Sequence, residues 1–268
     1  MMLELHEPFK SLWKDKDPFV EVEKLQGDVY RELSGRRTLR TEVNNKGYFV
    51  KIHRGIGWGE IFKNLITAKL PVLGAGQELK AIKKLTLVGV DTMKAVAFGE
   101  RGANPAKQYS FIVTEELAPT ISLEDISLNW IKEPPQPTLK WAFIKRVAEM
   151  VGKMHRAGVN HRDCYICHFL LHTDTVITPE QFKLSVIDLH RAQIRQHLPI
   201  RWRNKDLAAL YFSVLEIGLT KRDLLRFLKV YFQKPLSNIL EQEDKLLLNL
   251  SEKAAKLYER KQRYGEAI

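Results

Sequence analysis

The stretch His161-Arg162-Asp163-Cys164-Tyr165-Ile166-Cys167-His168-Phe169 carries more of this chain's chemistry than any other. It follows a helical pattern from Leu139 to Ala157, which starts after Pro137-Thr138 and stops at Gly158. It precedes an apolar, strand-like run that ends in Ile187-Asp188-Leu189-His190. Phosphoryl transfer asks for two carboxylates in different roles. One accepts the proton of the attacking hydroxyl, and the other holds Mg²⁺ against nucleotide phosphates. Asp163 suits the first role and Asp188 the second.

Upstream, Tyr48-Phe49-Val50-Lys51-Ile52 reads as a strand with one lysine inside an apolar run. Such a lysine needs a partner for its charge. Glu78 is the candidate, because it shares a helix face with Ala81, Ile82 and Leu85, three, four and seven residues on. A helix glutamate aimed at a strand lysine is the pair that positions nucleotide phosphates in protein kinases, and the order Lys51, Glu78, Asp163, Asp188 is the kinase order. Phe111 to Thr114 reads as the last strand of this part, and Glu115-Glu116-Leu117-Ala118-Pro119 as a hinge. Backbone groups of Glu115 and Leu117 are expected to meet adenine.

The resemblance narrows over longer stretches. Val159 to His172, Ser185 to Ala192, Arg36-Arg37-Thr38-Leu39-Arg40 and Arg201-Trp202-Arg203-Asn204-Lys205-Asp206-Leu207 together are similar to the bacterial lipopolysaccharide core heptose(I) kinases. The matches run from near the N-terminus past residue 230. The resemblance implies an α+β, bilobal protein-kinase-like fold, with a small β-rich N-lobe over residues 1–117 and a larger, mainly helical C-lobe over 118–268. It implies use of ATP and Mg²⁺ to phosphorylate the 4-hydroxyl of the first heptose of the inner core, at the cytoplasmic face of the inner membrane. Asp163 would then be the catalytic aspartate and Asp188 the metal aspartate. His161 and Asp206 would support the catalytic loop.

Several departures from the general kinase pattern carry information. No glycine-rich loop precedes Lys51; Asn44-Asn45-Lys46-Gly47 reads as a hairpin tip. Phosphate contacts must come from Lys51, from backbone amides of the first hairpin and from Arg36, Arg37 or Arg40. His168 stands five residues after Asp163, where kinases carry a metal-binding asparagine, and Mg²⁺ prefers oxygen. About a dozen residues separate Asp188 from the helix near Trp202, too few for a long activation segment. A small molecule, sugar or lipid is the expected acceptor, not a protein.

The 268 residues carry 43 Lys plus Arg against 32 acidic side chains, for a net charge of +11. Such a surface suits an anionic partner. An anionic glycolipid precursor of the lipopolysaccharide inner core fits better than nucleic acid, for which no motif is present. The basic clusters Arg36-Arg37, Arg191-Arg195 and Arg201-Arg203 are the expected acceptor contacts. An apolar face from Glu60 to Leu73 reads as a membrane-surface helix, an acyl-chain groove or a packing helix. An acidic carrier such as acyl carrier protein would also suit a basic, apolar surface. No apolar run is long enough to span a bilayer, so peripheral attachment to the cytoplasmic side of the inner membrane is expected.

Rival chemistries compete with this one. Cys164-x-x-Cys167-His168 matches the c-type haem attachment pattern, and with His161 it suggests zinc. The start Met1-Met2-Leu3-Glu4-Leu5 has no export signal, so two reduced, packed thiols are expected instead. A kinase for a different small hydroxylated substrate, as in aminoglycoside kinases, shares the same residues. So does a nucleotide-binding regulator without catalysis.

Overall fold

Alternating burial along two neighbouring strands organises the first of the chain's two units. A computed structural model describes residues 1–33, 35–55, 57–59, 62, 74–104 and 106–264. The apolar face expected over Glu60 to Leu73 lies outside the described residues, Phe62 apart. The first unit comprises Met1–Lys83, Met93–Ala118 and Leu189–Arg191; the second comprises Lys84–Thr92, Pro119–Asp188 and Ala192–Ile268.

In the first unit the strands are β1 (Met2–Leu5), β2 (Asp28–Leu33), β3 (Arg36–Val43), β4 (Lys46–His53), β5 (Ala95–Arg101) and β6 (Tyr109–Glu115). They form one sheet in the order β1-β5-β6-β4-β3-β2, with antiparallel pairing throughout. Asn44 and Asn45 join β3 to β4 with φ of 53° and 59°. Asparagine tolerates that left-handed backbone, which suits a two-residue hairpin turn.

Strand period two then sorts the side chains. Leu39, Tyr48, Val50, Ile52, Phe111 and Val113 pack on one face against Phe9, Trp13, Phe19 and Val22. Those four come from or adjoin two short helices, α1 (Phe9–Leu12) and α2 (Pro18–Lys24). Phe9 meets Tyr48 edge-on at 5.1 Å, and Trp13 meets Phe111 at 5.8 Å. The opposite face of β3 and β4 carries Arg36, Thr38, Lys51 and His53 as cross-strand pairs. Helix α3 (Gly76–Leu87) buries Glu78, Ala81, Ile82 and Leu85, the stripe that its spacing predicts, together with Leu79.

The second unit is mainly helical: α4 (Leu123–Ser127), α5 (Pro137–Arg156), α6 (Ile200–Ser213), α7 (Lys221–Phe232), α8 (Leu236–Gln242) and α9 (Asp244–Tyr264). Two small sheets join them. One has the order β10-β9-β7, from Leu184–Val186, Phe169–His172 and Thr120–Ser122; the other pairs β11 (Gln193–Ile194) with β8 (Val159–Asn160). Thr220 and Asp223 close a reciprocal capping box on α7, a device that stabilises a helix by about 1 kcal/mol.

Gly158 ends α5 at φ 79°, and a Cβ there would lie 1.9 Å from the Arg195 carbonyl oxygen. Only glycine permits that approach. The tight stop feeds β8 directly and fixes where His161 begins. An apolar cavity of about 350 Å³ also lies in this unit, lined by Leu123, Trp130, Phe143, Leu210, Tyr211 and Leu224 among others. Among the described residues, no helix is long and apolar enough to cross a membrane.

Candidate active site

Asp206 organises the stretch around Asp163. It stands on α6, one residue after Lys205, and is almost wholly buried. Its Oδ2 accepts the backbone N–H of His161 at 2.6 Å, and its Oδ1 accepts that of Arg162 at 2.9 Å. His155 Nε2 lies 3.2 Å from the same Oδ2, and His155 Nδ1 lies 2.7 Å from the Tyr231 hydroxyl. One carboxylate thus ties the two residues before Asp163 to two helices through charge-assisted hydrogen bonds. Arg162 has φ 75° and Asp188 has φ 60°. Left-handed backbone in non-glycine residues is held only where the surroundings over-determine it, and such strain gathers at functional sites.

His161 links this loop to the second aspartate. Its Nε2–H donates to the Ile187 carbonyl at 2.8 Å, immediately before Asp188. Burial holds the His161 imidazole below its ordinary pKa, so the ring is a neutral donor. His168 stacks on His161 at 5.4 Å. Its Nδ1–H donates to the Asp163 carbonyl at 2.7 Å, which turns Nε2 toward Asp188 Oδ2 at 3.7 Å. Mg²⁺ takes one or two protein ligands and completes its shell with phosphate oxygens and water. Asp188 with His168 beside it is consistent with that pattern, the nitrogen being the weaker donor.

The two cysteines have no such arrangement. Cys164 is fully buried, and its thiol is held well above the usual range, first by burial and then by the charges of Asp206 and Asp163. Burial, and next the charge of Glu124, pushes Cys167 up to about 11. Among the described residues, no three His, Cys, Asp or Glu side chains are grouped to hold a metal on their own. Thiolate is the reactive form. Native protein at pH 8 should therefore react slowly with a disulfide reagent at Cys167 and not at Cys164 until it unfolds. Rapid modification of both thiols would show that the packing around the loop is loose.

In the first unit, Lys51 Nζ donates to Glu78 Oε1 at 2.7 Å. Glu78 is almost wholly buried, and its Oε2 has no hydrogen-bond partner among the described residues. Breaking such a pair by removing one member typically costs about 3–5 kcal/mol. At the expected hinge, the Glu115 N–H donates to the Lys94 carbonyl, and the Glu115 side chain pairs with Lys46 at 2.8 Å and Lys94 at 3.1 Å. Its amide is thereby committed to the protein itself. Leu117 follows in the short connection after β6.

The arginines divide. Arg36 shares a sheet face with Lys51, whereas Arg37 projects from the opposite face, ion-paired with Glu32 at 3.1 Å and donating to the Glu23 carbonyl. Arg203 ties α6 to the end of α8, paired with Glu243 at 2.9 Å and lying over Phe232. Both are held by structural ion pairs. Arg191 lies in the Leu189–Arg191 turn of the first unit. Arg195 donates to Asn160 Oδ1 at 2.6 Å and, with Arg201 and Lys205, surrounds the Trp202 ring at 5.3, 5.4 and 4.7 Å. Burial and the charges of Arg201, Arg162 and Lys253 push the Lys205 ammonium down. Lys205 is not among the basic residues that the sequence singles out, although it follows Arg201 by one helical turn.

The chain matches the description "Lipopolysaccharide kinase (Kdo/WaaP) family" over residues 20–231. It is 68% identical over 268 residues to the lipopolysaccharide core heptose(I) kinase WaaP of Pseudomonas aeruginosa, covering all of both chains. It is 56% identical over 264 residues to the Escherichia coli K12 protein of the same name, covering 98% of this chain and all of that one. A solved structure of "WaaP in complex with acyl carrier protein" superposes with a TM-score of 0.87 at 62% identity, covering 96% of this chain and all of the other. The α+β fold is thus the kinase-like one expected, and the chain belongs to the lipopolysaccharide kinase (Kdo/WaaP) family.

Proposed function

We propose that this chain is an ATP-dependent kinase that phosphorylates the first heptose of the lipopolysaccharide inner core, on its 4-hydroxyl. The observation that carries this reading is the loop clamped by Asp206, which holds the residues preceding Asp163 while His161 reaches the carbonyl preceding Asp188. Relatives at up to 68% identity that bear the heptose(I) kinase name support the acceptor class.

Asp163 accepts the proton of the heptose hydroxyl as its oxygen attacks the γ-phosphorus; the new O–P bond forms and the bond to ADP breaks. Lys51, steadied by Glu78, aligns the phosphates. Mg²⁺, held by Asp188 beside His168, would neutralise charge that develops on the phosphate oxygens. Residues 1–117 would serve the nucleotide and residues 118–268 the acceptor. Incubation of the protein with labelled ATP, Mg²⁺ and dephosphorylated core acceptor tests this. Phosphate on the 4-hydroxyl, located by mass spectrometry and NMR, is the expected product. Nucleotide binding without turnover on any acceptor would favour a regulator.

The anionic acceptor is proposed to dock on Arg195, Arg201 and Lys205. Neither Arg201 nor Lys205 meets a carboxylate among the described residues, and both lie on the helix that carries Asp206. Exposed attraction of this kind is screened beyond about 10 Å at 0.1 M salt. Raising salt, or reversing Lys205 to glutamate, should raise the acceptor KM several-fold and leave the ATP KM within about twofold. Equal losses for both substrates would assign the cluster to solubility alone. A carrier protein is the proposed partner, with the apolar cavity of the second unit suited to a bound acyl chain. Attachment to the cytoplasmic side of the inner membrane would be peripheral.

A further inference from the structure

The roles above use only part of the motif Arg36-Arg37-Thr38-Leu39-Arg40. Register pairs Arg36 with His53 and Thr38 with Lys51 across the β3–β4 hairpin. Residues two apart share a face, so Arg36, Thr38, Lys51 and His53 form a two-by-two block on the side away from the aromatic core. Leu39 and Ile52, on the core side, are both fully buried.

In this block Thr38 and His53 bury polar atoms, the hydroxyl oxygen and Nε2, that find no hydrogen-bond partner among the described residues. His53 is only 2% exposed. Leaving such a group unsatisfied is costly, and each one in a folded protein calls for an explanation. A second threonine in the same strand, Thr41, faces the core side and donates to the Gln26 carbonyl at 2.7 Å. Among the described residues, threonine in β3 is therefore satisfied on the one face and unsatisfied on the other.

The charge of the block says what it would take. Arg36 and Lys51 bring basic side chains, and the charges of both and of His190 of the first unit act on His53. Burial, followed by the charges of Arg36, Lys51 and His190, lowers the His53 pKa to about 3. The ring is then neutral at physiological pH and offers an N–H without adding charge. Two cations, a hydroxyl and a neutral imidazole form a donor set for an oxyanion of several oxygens. No glycine-rich stretch precedes Lys51, so such donors must come from elsewhere.

We infer that Thr38 and His53 are nucleotide-positioning residues that complete, with Arg36 and Lys51, a polyphosphate-binding face on β3 and β4. This rests on the kinase reading, since the polyphosphate is that of ATP. Binding would supply the partner that each of these buried atoms lacks among the described residues.

The test is the dependence of affinity on phosphate number. Full-length protein and variants are titrated with ATP, ADP and AMP, each with Mg²⁺, by calorimetry, alongside thermal melting. Losing a hydrogen bond to a charged group corresponds to roughly tenfold or more in affinity. Thr38→Val, nearly isosteric, should weaken ATP at least about tenfold and leave AMP unchanged, while Thr38→Ser restores ATP binding. His53→Leu should do the same, with Thr38→Val carrying the test if His53→Leu melts early. Thr41→Val is the control, since it should lower the melting temperature without changing the ATP-to-AMP ratio. A folded Thr38→Val protein with the wild-type ratio overturns the inference. If Lys51→Met also leaves ATP affinity untouched, the kinase reading itself fails, which separates the two outcomes.

Discussion

Asp163→Asn should abolish most phosphoryl transfer while leaving the protein folded and its ATP affinity nearly unchanged. A proton acceptor positioned at the reacting hydroxyl contributes roughly 10²- to 10⁴-fold to rate. Asparagine keeps the shape of the side chain and loses only the basic oxygen. The fold should tolerate this, because the bonds that hold the loop come from neighbours: Asp206 accepts from His161 and Arg162, and His168 donates to the Asp163 carbonyl rather than to its side chain. The drop should therefore appear in kcat, with the melting temperature within a degree or two of wild type. Near-normal kcat in this variant would remove Asp163 from the chemistry, and His168 or a bound water would have to be examined as the proton acceptor.

Much of this framework is legible in the residues because it depends on local rules. Helix α5 begins at Pro137, two residues before the expected Leu139, and stops just before the glycine that its sequence advertises. The pair of Lys51 and Glu78 follows from asking what a lysine in an apolar strand must meet. What stays hidden depends on tertiary partners. Arg36 and Arg37 are adjacent and chemically identical, yet strand alternation sends one to the Lys51 face and the other to Glu32. Arg203 and Lys205 are likewise two apart on a helix, so one turns to Glu243 and the other to Trp202. No spacing rule names Glu243, forty residues downstream. Helices α1 and α2 are illegible for another reason: at four and seven residues they are too short to show a helical period.

Asp206→Ala should act on both stability and catalysis, and the two effects share one cause. The substitution leaves the buried N–H groups of His161 and Arg162 without their acceptor, at about 1–3 kcal/mol each. His155 loses its neighbour too, so the thermal transition should fall measurably. Asp206→Asn is milder, because its amide retains one acceptor oxygen for two donors. In whichever variant folds, displacement of the loop by about 1 Å can cost roughly 10²-fold in rate. A positioning role makes a sharper demand. If Asp206 acts only by presenting Asp163, then combining Asp206→Asn with Asp163→Asn should lose little more than Asp163→Asn alone, since residues that act as a unit are non-additive. Fully multiplicative losses in the double variant would mean that Asp206 serves the reaction by a route independent of Asp163. The chain of hydrogen bonds from Tyr231 through His155 would then be the place to look, since Asp206 Oδ2 is where that chain meets the His161 amide.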